Sequence, residues 1–97
     1  MTPEGKVKQA YRALLKERGA YFFSPVQTGL GRRTLDDLIC YRGWFIAIEA
    51  KAPGGKLTDY QEQTARQIEA AGGRVLRAPA LSGIVRLLDW IDREEDA

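Results

Sequence analysis

No histidine occurs in the 97 residues, and Cys40 is the lone cysteine. The first absence removes the usual general base, the Ser-His and Cys-His nucleophile pairs, and imidazole metal ligation. The second rules out an internal disulfide and any multi-cysteine zinc site. Long apolar runs are missing too. None approaches the roughly 18 residues of a membrane span, and the opening residues lack a signal-peptide pattern, so a cytoplasmic, non-membrane location is expected. Gly29 and Gly31 lack both the third glycine of a dinucleotide fingerprint and the lysine of a P-loop, which argues against a nucleotide cofactor. The chemistry left open rests on carboxylates, lysines and a hard, oxygen-loving cation such as Mg²⁺.

What is present suits one small globular domain spanning residues 1–97, with an ordinary 44% hydrophobic share. The net charge of +2 conceals an asymmetry. The tail at 89–97, "DWIDREEDA", is acidic, while residues 1–88 carry 14 basic and 8 acidic side chains, a balance of +6. A basic body of this kind is compatible with a polyanionic partner.

The hydrophobic pattern predicts the order α-β-β-β-α-β-α. Thr2-Pro3-Glu4 reads as a helix start, and Val7, Ala10, Tyr11, Leu14 and Leu15 follow at helical spacing up to Gly19. "AYFFSPV" reads as an aromatic strand, "DLICY" and "WFIAIEA" as two strands joined by a tight Arg42-Gly43 turn. Thr58 and Gln61 form a capping box for the second helix, which stops at Gly72-Gly73. "RVLRA" is a fourth strand, and Ser82 is expected to cap a last helix with a broad apolar face. Strands of this kind need helices on both faces, which gives a small mixed-sheet α/β sandwich. Tyr11, Tyr21, Phe22 and Phe23 are expected in the core, and Cys40 as a packed thiol.

Alternation sets Phe45, Ala47, Glu49 and Lys51 on one face of the third strand. Ionised groups at the rim of a buried strand need partners, water or a metal. Asp37 begins the preceding strand near the same end. A divalent cation would accept oxygens from Asp37, Glu49 and the Ala50 carbonyl, with Lys51 beside its water.

These residues carry a resemblance. "LDD" followed by "LICYRGWFIAIEAK" resembles the PD-(D/E)xK nuclease motif. More narrowly, Glu4, "TLDD", "EAK", "APGGKLTDYQ" and Gln61 resemble the virus-type replication–repair nuclease (VRR-NUC) pattern across nearly the whole chain. The resemblance implies a restriction-endonuclease-like αβββαβ core with a C-terminal helix. It also implies Mg²⁺- or Mn²⁺-dependent hydrolysis of DNA phosphodiesters, on branched or four-way-junction substrates in replication or repair, in a phage-borne protein. Asp37, Glu49, Lys51, Gln61 and Glu4 would be the catalytic set, Glu4 on the resemblance alone. Thr34 and Asp36 stand where the family has glycine and proline. The ligand role is assigned to Asp37, which directly precedes the apolar strand as the family's aspartate does, with Asp36 expected on the opposite face. Arg32, Arg33 and Lys56 lie in flanking loops suited to phosphate contact. A homodimer is expected, because the aromatic first strand and the last helix offer more apolar surface than one thin sheet can cover. Two other readings stand beside this one: a non-catalytic DNA-binding or assembly module, and a protein-interaction domain built on the acidic tail and last helix.

Overall fold

The computed structural model describes residues 1–27 and 33–96, the side chains of residues 95 and 96 excepted. Its elements run in the expected order: α1 (Pro3–Glu17), β1 (Tyr21–Phe23), β2 (Asp37–Tyr41), β3 (Trp44–Glu49), α2 (Asp59–Ala70), β4 (Arg74–Arg77) and α3 (Leu81–Asp96). Local chemistry accounts for most boundaries. The Thr2 hydroxyl accepts the Gly5 N–H at 3.0 Å, and Pro3 occupies the first helical turn, where no N–H is needed. Arg42 and Gly43 both take positive φ, 49° and 86°, as a two-residue type I′ hairpin turn requires. At α2 both halves of the Thr58–Gln61 capping box are formed. α3 begins two residues earlier than expected, at Leu81 and not after a Ser82 cap. The Ala80 carbonyl accepts its first backbone bonds, so Ser82 lies inside the first turn and is not the cap.

The four strands lie in the order β1-β2-β3-β4, antiparallel except for the β3–β4 pair, which the α2 crossover makes parallel. Helices cover both faces. On one, Tyr11 and Leu15 of α1 and Ile84, Leu88 and Ile91 of α3 pack on Ile39, Ile46 and Ile48. On the other, Ala65 and Ile68 of α2 pack on Leu35, Leu38, Ala47 and Val75. This is the expected small α/β fold, a mixed sheet flanked by helices.

The second face is covered only in part, and this corrects three expectations. α2 sits over β3 and β4 and leaves the outer strand bare. Phe22 turns inward beside Ile39, but Tyr21 and Phe23 alternate outward and are 74% and 57% exposed. Cys40, paired with Tyr21 and Phe45 on the same open face, is an exposed thiol. The apolar stripe of α3 is instead consumed within the monomer, against α1 and the sheet. Asp89 and Asp92 near its end are anchored as well. Asp92 accepts from the Tyr41 hydroxyl at 2.7 Å, and Arg18 bridges Asp89 and Asp92 at 2.9 and 2.8 Å. Among the described residues, no helix is long and apolar enough to cross a membrane.

Candidate active site

Four polar side chains, Asp36, Glu49, Lys51 and Gln61, meet where β2 begins and β3 ends, and the aspartate differs from expectation. The register pairs Tyr41 with Trp44 and ends at Asp37 opposite Ile48. Paired residues in an antiparallel ladder point to the same side. Asp37 therefore turns with Ile48 toward α1, and Asp36, one step further out, faces Glu49. The assignment of Asp37 to the Glu49 face, and of Asp36 to the other, is thus corrected. Counting outward from the two-residue turn leads to Asp36; judging by where the apolar run starts does not.

Asp37 is completely buried and fully engaged. It accepts from the Tyr11 hydroxyl and the Ser24 hydroxyl, and from Arg12 Nε and Nη2 at 3.1–3.2 Å. Burial, then the hydrogen bond to Asp37, raises the Tyr11 pKa well above its usual value, so the phenol stays a donor. Asp37 is a strut tying β2 to α1 and to the end of β1. Nothing in this arrangement offers it to a ligand from outside.

Asp36 and Glu49 interlock. The Asp36 N–H donates to Glu49 Oε1 at 3.2 Å, and the Ala50 N–H donates to Asp36 Oδ2 at 2.9 Å. Gln61 Nε2 donates to Glu49 Oε2 at 3.1 Å while its carbonyl oxygen accepts the Thr58 N–H at 3.0 Å. One glutamine thus caps α2 and aims Glu49. Lys51 Nζ lies 4.0 Å from Glu49 Oε2. Its stem is held by the loop that follows: Gly54 takes φ +84°, and a Cβ on Gly55 would meet Lys51 Cβ at 2.9 Å and the Ala52 carbonyl at 3.0 Å. Glycine is needed there for close approach. Burial first, and the neighbouring Asp36 carboxylate second, push the Glu49 pKa up to about 8; Lys51 offsets this only in part.

Glu4 lies on the rim of this group and reaches it through another residue. Its carboxylate pairs with Lys8 at 3.2 Å, and Lys8 pairs with Asp36 Oδ1 at 3.3 Å. Burial would lower the Lys8 pKa, but Asp36 and Glu4 hold it above its usual value. The sequence reading passed over Lys8, Arg12 and Ser24. Glu4, Lys8 and Arg12 do recur at four-residue intervals, one stripe of a helix. It also passed over Gln27, whose amide grips Thr34 at both its N–H and its carbonyl and so steadies the approach to Asp36.

The basic loop residues are dispersed. The Arg33 guanidinium stacks 5.1 Å from the centre of the Tyr60 ring, and Lys56 is exposed in the loop before α2. Arg32 lies outside the described residues. An apolar groove of about 710 Å³ runs along the same face toward the hairpin turn, between Leu38, Phe45 and Ile68. It includes none of the Asp36, Glu49, Lys51 and Gln61 side chains. Among the described residues, no three acidic or cysteine side chains gather into one metal-binding group. The side-chain donor set is two carboxylates, Asp36 and Glu49. That set suits a hard cation that keeps several of its waters, and the crowding of two acids leaves negative charge such a cation would relieve.

No family model and no curated protein matches this chain. Among solved structures, a VRR-NUC domain aligns over 92% of this chain and 97% of its own length, with a TM-score of 0.75 at 18% identity. The chain has the fold of a VRR-NUC domain.

Proposed function

We propose that this domain is a metal-dependent DNA endonuclease. The observation that carries the proposal is the convergence of Asp36, Glu49, Lys51 and Gln61 on one face of the sheet rim, in a VRR-NUC fold. Asp36, Glu49 and the Ala50 carbonyl would hold Mg²⁺ or Mn²⁺. When bound, such a cation polarises a phosphodiester and makes its water a better nucleophile near neutral pH. The protein's own residues supply the rest. Gln61 keeps the Glu49 carboxylate turned toward Asp36. The Lys51 ammonium, steadied by the glycine loop, sits where it can counter charge developing on an attacked phosphate. Arg33 and Lys56, both exposed, would contact flanking phosphates.

The substrate reading is branched DNA of replication and repair, four-way junctions included. Incubation with linear, flap and junction DNA tests it. Mg²⁺ or Mn²⁺ should sustain cutting, Ca²⁺ should permit binding with little turnover, and EDTA should abolish it. Cutting that survives EDTA overturns the mechanism. Binding without cutting under every metal leaves a non-catalytic DNA module instead.

The homodimer now rests on a smaller surface than the sequence suggested, because α3 is already buried. The uncovered β1 edge with Tyr21 and Phe23 is the remaining apolar candidate. A twofold pair through it would carry two sites related by symmetry, suited to paired cuts at a junction. Light scattering should give twice the chain mass, and Phe23→Glu should return it to the mass of one chain. A wild-type monomer at working concentration removes the dimer.

A further inference from the structure

Among the described residues, Lys8 is the one cation of α1 that pairs with a carboxylate of the candidate site. Its ammonium sits between Glu4 and Asp36, at 3.2 and 3.3 Å, with the side chain only 25% exposed. One turn on, Arg12 does the same for Asp37, so two consecutive aspartates meet two cations spaced one helical turn apart. The two cations differ in what they neutralise. Arg12 satisfies a fully buried strut. Lys8 lies against an acid whose other oxygen accepts the Ala50 N–H and whose own backbone N–H donates to Glu49.

Sites that use two divalent ions hold them about 3.5–4 Å apart and share a carboxylate between them. Here Asp36 would be the shared carboxylate and Glu4 the outer acid for a second ion. The space between those two acids is taken by the Lys8 ammonium. We infer that Lys8 serves as a built-in second cation, so that this site takes one divalent ion, between Asp36 and Glu49, and Glu4 acts through Lys8 and not as a ligand. The inference rests on the metal-dependent reading above and adds to it a metal count and the role of a positioning residue. It also gives Glu4 a purpose. A lysine left without Glu4 would pair with Asp36 alone.

Counting bound Mn²⁺ by calorimetry and by electron paramagnetic resonance tests this without any turnover measurement. Wild-type protein should bind one Mn²⁺ per chain. Lys8→Gln frees both carboxylates and should bind a second, weaker ion. Glu4→Gln should still bind one, with affinity changed by less than about threefold. The double variant Glu4→Gln with Lys8→Gln should return to one. Two ions on wild-type protein, or a single ion on a folded Lys8→Gln, overturns the inference while leaving the nuclease reading standing. No bound Mn²⁺ on wild-type protein defeats the metal-dependent reading itself. Far-ultraviolet circular dichroism confirms that each variant is folded, and the wild-type count stands even if one is not.

Discussion

Two neighbouring aspartates should give opposite phenotypes. Asp37→Ala is expected to lose about 3–5 kcal/mol of stability, the range for removing one partner of a buried, hydrogen-bonded charge pair. The Arg12 guanidinium and the Tyr11 hydroxyl are left without their acceptor, and Ser24 with them. In a domain whose total stability is about 5–15 kcal/mol, that is a large share, and the midpoint of thermal unfolding should fall by roughly 15 °C or more. Asp36→Ala should do the reverse. It removes a partner of Lys8 and of the Ala50 N–H but also relieves Glu49 of a like charge, so stability should stay within about 1 kcal/mol. Cleavage should fall by more than the roughly 100-fold that loss of a ligand's outer partner produces. Thermal melts and cleavage rates on the two purified variants decide the matter. A folded, inactive Asp37→Ala beside an active Asp36→Ala would reverse the assignment.

The fold was readable because its punctuation is local. Thr2-Pro3, the Arg42-Gly43 turn and the Thr58–Gln61 capping box each act within a few residues, and each is realised in the structure. The face of each aspartate was readable too, given a different count. A two-residue turn puts Tyr41 opposite Trp44, and five steps outward the partner of Glu49 is Asp36. The error came from letting the start of the apolar run decide the face. A buried aspartate satisfied by arginine, tyrosine and serine looks, in sequence, like the polar end of a strand. Lys8 and Arg12 belong to another category. Their spacing is visible in the chain, but their aspartate partners lie more than twenty residues away, and only the path of α1 across the sheet joins them. The bare faces of Tyr21 and Phe23 likewise depend on how far α2 reaches, which no local pattern encodes.

The stability of the metal-free protein should fall as pH rises from about 5 to 8, and Glu49 is the reason. Burial and the adjacent Asp36 raise its pKa to about 8 in the folded state, against roughly 4.3 in an unfolded chain. The folded state therefore holds this proton more tightly than the unfolded state. That contribution is fully present below about pH 4.3 and is lost as pH climbs through the folded-state value. Each unit of difference corresponds to about 1.4 kcal/mol, so the loss across the window is on the order of a few kcal/mol. The chain has no histidine, and Glu69 and Asp92 are shifted the other way, by Arg77 and by Tyr41 with Arg18, so that their contributions vanish only at more acid pH. Glu49→Gln has no proton to lose and should flatten the profile. A divalent cation favours the ionised carboxylate, so saturating Mn²⁺ should stabilise the protein more at pH 8 than at pH 5, and its binding near pH 7 should release close to one proton. Thermal melts from pH 5 to 8 with and without Mn²⁺ read the first effect. Calorimetry in buffers of different ionisation enthalpy reads the second. A flat wild-type profile with no proton released would mean that Glu49 is already ionised, and that Asp36 and Glu49 do not crowd each other as their geometry implies.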